Sequence, residues 1–182
     1  MASEAAVRAG PVPWVIIRPP AVYGPRDREM FRIFKAAKLG IAPVFGDGRQ
    51  ELSLVYGPDL AAAIVRAVFA PGIEGDVYYP AHPEVLTAHE VAAVIGRASG
   101  RKVRPIGIPE PVARAALQVT GAIARLVNRA TLLTPDKGNE LFQAAWTCDP
   151  SHFTERTGWQ AGHDLAAGAA QTWEWYRNAD WL

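Results

Sequence analysis

The chain has 182 residues, 49% hydrophobic and 20% charged, which is the balance of an ordinary globular protein with apolar material for a core. Its net charge of +1 offers no bulk electrostatic basis for a nucleic-acid or membrane-surface function. A single cysteine, Cys148, excludes an internal disulfide and fits a reducing cytoplasm, and no stretch has the length and apolarity to span a bilayer.

Met1 to Ala9 is helix-prone and stops at Gly10-Pro11. Trp14-Val15-Ile16-Ile17 is a continuous apolar, largely β-branched run, as expected of a parallel-sheet strand covered on both faces. Pro19-Pro20 cannot donate to a sheet ladder, so the chain leaves the sheet there. Ligands of open α/β sheets bind beyond the carboxyl ends of such strands, which makes Pro19 to Pro25 the first place to look for a site. Arg28 to Leu39 carries a helical stripe of Met30, Phe31, Phe34 and Ala37, closed by Gly40.

Short strands at Pro43–Phe45 and Leu52–Tyr56 flank the turn Gly46-Asp47-Gly48. Pro58 and Asp59 open a helix, Leu60 to Phe69, so apolar all round that burial is expected. Asp76–Tyr79 reads as a strand. Thr87-x-x-Glu90 is a capping box, with a staple between Leu86 and Val91, for a helix running to Gly100. His89, in that helix's first turn, has no second ligand four residues on and reads as a surface side chain. Val103–Ile108 is a strand, and Pro109–Asn128 a long helix whose apolar face includes Val112, Ala116 and Val119. Thr134-Pro135-Asp136 and Asp149-Pro150-Ser151 start further helices, and Asp164 caps the last one, which carries Leu165, Trp173 and Tyr176.

Arg18 to Asp27, R-P-P-A-V-Y-G-P-R-D, resembles the RPxxVYGPrd segment of extended short-chain dehydrogenases, the NAD-dependent epimerase/dehydratase family. Later pieces resemble that family's closing pattern: L-L-T-P-D-K, then W-T-C-D-P-S-H-F-T-E-R-T-G-W, then W-E-W-Y-R-N-A-D-W-L. The resemblance implies an α/β chain forming the second half of a Rossmann-type NAD(P)-binding fold, with a small mixed α/β substrate-binding subdomain. Residues 1–182 then form a single domain, the Rossmann remnant around 1–40 and 60–80 and the substrate pieces at 41–57 and 81–182. It also implies NAD or NADP as cofactor, its nicotinamide end lined by the main chain of Pro19, Ala21 and Val22. Ser3-Glu4-Ala5-Ala6 resembles the residues just after the family's catalytic lysine.

Two parts of the family's machinery are not in this sequence. No G-x-x-G-x-x-G turn holds a pyrophosphate, and none of the five tyrosines is followed four residues later by lysine. No catalytic residue and no metal site is therefore assigned, and NAD(P) binding by this chain alone is expected to be weak or absent. The family's sugar-nucleotide members run roughly G-D-G-x-Q-x-R-D-F-V-Y-V-D-D, with the arginine meeting a diphosphate. Gly46 to Asp59 reads G-D-G-R-Q-E-L-S-L-V-Y-G-P-D, which puts Leu52 at the arginine position. Losing such a charged contact costs roughly 1.5–3 kcal/mol. The expected substrate is an uncharged, fairly apolar carbonyl or hydroxyl compound, in a cavity built from Val22, Tyr23, Phe45, Leu52 and Tyr56, with Arg49 as substitute cation.

The function expected is the substrate-binding portion of an NAD(P)-dependent epimerase/dehydratase or reductase, inactive as a redox enzyme alone. The alternatives are a non-catalytic binding or scaffold protein, and an esterase-like hydrolase using Ser53 or another hydroxyl with one of His82, His89, His152 or His163 as base. Expected partners are a small-molecule substrate and either a second copy or a missing N-terminal half, with no nucleic acid and no membrane. The expected location is the cytoplasm.

Overall fold

The computed structural model describes residues 2–116, 118 and 142–182. The expected helix start at Thr134, and the long helix beyond residue 118, lie outside them.

Helix α1 (Ala2–Arg8) precedes strand β1 (Val15–Ile17), which pairs in parallel with β5 (Asp76–Tyr78), Ile16 opposite Val77. Arg18 extends the ladder by donating its N–H to Tyr78 O. Its guanidinium then donates to Glu4 Oε1 at 2.9 Å and to the Tyr79 hydroxyl at 3.0 Å, tying α1 to the carboxyl ends of both strands.

Strand β2 (Ala21–Tyr23) runs parallel to the last half of β4 (Glu51–Tyr56). The first half of β4 takes β6 (Val85–Thr87) antiparallel and β8 (Ala145–Trp146) parallel. A separate parallel pair joins β3 (Ile41–Phe45) to β7 (Arg104–Ile108). The helices between are α2 (Arg28–Lys38), α3 (Gly57–Phe69) and α4 (Ala88–Ala98). Residues 110–116 are helical, and α5 (Ser151–Thr157) and α6 (Leu165–Asn178) close the chain. Parallel pairs joined through helices make this a mixed α/β fold with parallel sheets.

Side-chain caps fix the helix starts. Asp27 accepts from Glu29 and Met30 N–H at α2, and Thr87 and Glu90 form the expected capping box at α4. Asp164 accepts from Ala167 N–H at α6, and Asp149 from Ser151 N–H at α5. Two main clusters form the core. Phe34, Ala37, Tyr56, Ile95, Ala169 and Tyr176 fill the space between α2, α4 and α6. Val55, Ala63, Ala67, Tyr78, Phe153 and Trp159 lie under β1, β5 and α3.

Three expectations are corrected. α3 is not buried all round: Ala63 and Ala67 face the core, while Val65, Val68 and Phe69 are 57%, 71% and 78% exposed. A helix laid on a sheet buries one face only, and among the described residues nothing lies on the other. β1 is half covered rather than enclosed, with Ile16 buried and Val15 and Ile17 intermediate. Within the described start of the helix after Pro109, Val112 is exposed and Ala113 is the buried position, since neighbouring helix positions lie on different faces.

Candidate functional site

The segment Pro19 to Asp27 divides in two. Pro19, Ala21 and Val22 are exposed beyond the carboxyl end of β1. Tyr23 and Gly24 turn inward. Gly24 has φ +151°, and a side chain there would press on the Tyr56 ring and the Gly57 nitrogen. The Tyr23 hydroxyl donates to Asp164 O at 3.2 Å, and the Tyr176 hydroxyl donates to Asp27 O at 2.6 Å. Burial pushes both phenols up, away from their ordinary pKa. The first half is open to a ligand and the second half is bolted to α6.

A cleft of about 250 Å³ lies at the carboxyl end of β3, lined by Phe45, Asp47, Arg49, Gln50, Phe142 and Gln143. The Phe45 and Phe142 rings meet edge-on, centroids 5.8 Å apart. Asp47 Oδ1 accepts from Arg49 N–H, and His89 Nε2 lies 2.8 Å from Asp47 O. A carbonyl can only accept, so Nε2 carries the proton there. A Cβ at Gly48 would collide with the same imidazole, so His89 holds the turn shut from behind. The Arg49 and Asp47 side chains are 86% and 73% exposed and 3.8 Å apart, a pair worth little in water and free to open toward a ligand.

A tighter recess of about 10 Å³, room for no more than a water, is lined by Tyr23, Tyr56, His82, Glu84, Leu86 and His163. The Tyr56 hydroxyl donates to Gln171 Oε1, and burial raises its pKa. Asp59, 8% exposed in the first turn of α3, accepts from His163 N–H and from its Nδ1, each at 2.9 Å. That pair pins the segment before α6 onto α3.

The expected substrate residues are therefore not brought together. Phe45 and Arg49 line the cleft, Tyr23 and Tyr56 line the recess, and Leu52 lines neither. Leu52 packs on the first core cluster, opposite Leu86 on one side and Trp146 on the other. Sequence reasoning missed Phe142, Gln50 and Gln143, which sit in no motif. It read Asp59 only as a favourable charge at a helix start. Of the hydrolase alternative's candidates, Ser53 is buried, and its hydroxyl accepts from Cys148 N–H and donates to Cys148 O. Burial also raises the Cys148 thiol's pKa, which keeps it in the unreactive protonated form. Among the described residues no three His, Cys, Asp or Glu side chains are grouped to hold a metal ion.

Residues 2–78 match the NAD dependent epimerase/dehydratase family. A ceramide reductase of Caulobacter vibrioides is 30% identical over 182 residues, covering all of this chain and 56% of that protein. The chain belongs to this family. A (4-alkanoyl-5-oxo-2,5-dihydrofuran-3-yl)methyl phosphate reductase of Streptomyces griseus is 32% identical, over 72% of this chain and 52% of that protein. In three dimensions, human epimerase family protein SDR39U1, solved with NADPH, superposes with a TM-score of 0.73 at 24% identity. It covers 94% of this chain, and this chain covers 52% of it, which establishes the shared Rossmann-type fold. The chain spans about half the length of the curated relatives it matches.

The family is described as NAD dependent, so a nucleotide cofactor is plausible at the family level. A pyrophosphate needs a glycine-rich turn opening onto a helix amino end. Here Gly40, Gly100 and Gly158, all at positive φ, follow the carboxyl ends of α2, α4 and α5 instead. Pro19, Ala21 and Val22 are exposed residues, the last two in β2 and paired with Leu54 and Val55 of β4. No helix among the described residues is long and apolar enough to cross a membrane.

Proposed function

We propose that this chain is the substrate-binding portion of an NAD(P)-dependent reductase or epimerase acting on an uncharged, fairly apolar carbonyl or hydroxyl compound, and that alone it has no redox activity. The observation that carries the reading is Leu52. At the position where sugar-nucleotide members have an arginine, this chain has a partly buried leucine packed against the core and opposite Leu86, so no cation stands there for a diphosphate. The aromatic cleft supports it: Phe45 and Phe142 would hold the apolar part of the substrate, and Arg49 and Gln50 would meet its polar end. The name of the ceramide reductase agrees in kind, whereas the substrate in the name of the Streptomyces griseus relative joins an alkanoyl chain to a charged phosphate.

When bound, NAD(P) supplies or accepts the hydride. The main chain at Pro19, Ala21 and Val22 would hold its nicotinamide end, and Tyr23 and Asp27, locked to α6, keep that main chain in place. With no pyrophosphate cradle among the described residues, the chain alone would bind NAD(P) weakly. A second copy covering the exposed face of α3 is the proposed assembly.

Calorimetric titration tests this. An aryl ketone should bind more tightly than a nucleotide sugar, and Phe45→Ala should weaken the ketone about tenfold, the equivalent of about 1.4 kcal/mol. Tighter binding of the nucleotide sugar would overturn the substrate class. Micromolar NAD(P) binding by this chain would overturn the claim that it cannot hold the cofactor alone.

A further inference from the structure

The chain's near-zero net charge conceals an uneven distribution. Two stretches, 30–46 and 91–109, contain no Asp or Glu, and besides Arg32 they hold six of the chain's 19 Lys and Arg: Lys35, Lys38, Arg97, Arg101, Lys102 and Arg104. The fold sets these stretches side by side. α2 leads through Leu39 and Gly40 into β3, and α4 leads through Ser99 to Val103 into β7. Arg104 N–H donates to Gly40 O at 2.9 Å, and Arg104 stands opposite Ile41 across the parallel pair. Both helix-to-strand turns thus lie at one end of the molecule. All six cations are exposed, and none has an ion pair among the described residues. Glu174 and Asp180, on and just after the neighbouring α6, make none with them either.

Helix chemistry explains only part of this. Lys35, Lys38 and Arg97 occupy last turns, where cations complement the helix dipole. Arg101, Lys102 and Arg104 lie beyond the Ser99 cap, where that effect has faded. Nor does the dipole account for Leu39, which caps α2 at 74% exposure among these cations, or for Ile41 and Ile106, 37% and 45% exposed beside them.

We propose that this end of the molecule docks on an anionic phospholipid membrane, the cations meeting lipid phosphate and carboxylate and Leu39 entering the interface. Unpaired cations around a large apolar side chain match the two attractions of such a surface, headgroup charge and the acyl boundary. A nucleic acid would use the cations and leave Leu39 in water. The proposal is independent of the substrate reading above.

Co-sedimentation of the full chain with vesicles tests it. Binding is expected to phosphatidylcholine vesicles containing phosphatidylserine, not to phosphatidylcholine alone, and to weaken with added salt. Arg101→Glu with Lys102→Glu should lower binding about tenfold or more, and Lys38→Glu, on the other turn, should lower it less. All these positions are exposed, so unchanged circular dichroism should accompany the loss. Leu39→Ser should weaken binding several-fold with the same salt dependence. Equal binding to both vesicle types, or no effect of either charge reversal, would overturn the proposal. So would an unaffected Leu39→Ser variant, or capture of a single-stranded oligonucleotide by a chain that leaves vesicles unbound.

Discussion

Helices α2 and α3 are of similar length and both rich in apolar residues, but they dispose of them differently. On α2, Phe34 and Ala37 are fully buried, and Met30, Phe31 and Ile33 pack partly against the same core. On α3, the buried apolar positions are the small Ala63 and Ala67, and the large Ile64, Val65, Val68 and Phe69 stand in water. The contrast comes from what lies opposite. α2 meets α4 and the aromatic face of α6, where Phe34 has Trp173 and Tyr176 as ring neighbours. α3 meets the sheet on one side only. Apolar composition sets how much a helix gains by burial, and its neighbours decide whether the burial happens.

The largest test of that contrast is truncation at both places. Phe34→Ala should destabilise the chain by about 3–5 kcal/mol, as buried phenylalanines do. Phe69→Ala, at an exposed site, should change the stability of a monomer by less than about 0.5 kcal/mol. Urea denaturation reads both, and similar losses at the two sites would break the comparison.

The exposed face of α3 also bears on assembly. If a second copy covers it, Val68→Ser with Phe69→Ser should shift sedimentation from dimer to monomer, with helix content unchanged by circular dichroism. A wild-type chain that stays monomeric at micromolar concentration would remove the dimer and leave the open face as a property of the isolated chain.

A third test separates the regions by pH. Tyr23 and Tyr176 belong to the α2–α4–α6 side, and burial raises both phenols. The folded chain then keeps its phenolic protons where the unfolded chain has lost them. Stability from this source is level below the unfolded tyrosine pKa of about 10 and falls as pH rises past it. Tyr176→Phe should cost about 1 kcal/mol at neutral pH, through the lost bond to Asp27 O, and should flatten the alkaline limb. An alkaline limb as steep as wild type's would reject the assignment.

How much of this was legible in the sequence depended on whether the signal was local. The caps at Thr87, Asp149 and Asp164, and the stripe of α2, follow from short-range rules and stand where expected. The motif Arg18 to Asp27 marked the right strand end. Its division into an open half and a half bolted to Asp164 and Tyr176 needs partners more than 140 residues away, which no local pattern encodes. The cleft was half legible. Phe45 and Arg49 flank a readable turn, whereas Phe142 arrives from a stretch with no motif. Leu52 was singled out by comparison with the family's arginine, but its packing against the core depends on pairing with β6 and β8, fixed only in the fold. α3 misled because its composition was apolar throughout, and composition carries no record of what lies opposite.

The smallest expected effect lies on the β1–β5 side and has the opposite pH sense. His152 Nε2 donates to Asp76 Oδ2 at 2.9 Å while its ring stacks on Tyr78, centroids 5.1 Å apart. That bond, and a second from Val77 N–H, hold the Asp76 carboxyl below its usual range. A depressed carboxylate contributes stability that is present above the unfolded aspartate pKa of about 3.9 and is lost as pH falls through the lower folded value. Both partners are about half exposed, so solvent screens the pair and the contribution is small. Asp76→Asn should therefore leave neutral-pH stability nearly unchanged and flatten the acid limb slightly below pH ~4. The alkaline limb governed by Tyr23 and Tyr176 should not move. Urea midpoints followed across the pH range would show both, and an Asp76→Asn variant that altered the alkaline limb would mean the two sides do not titrate independently.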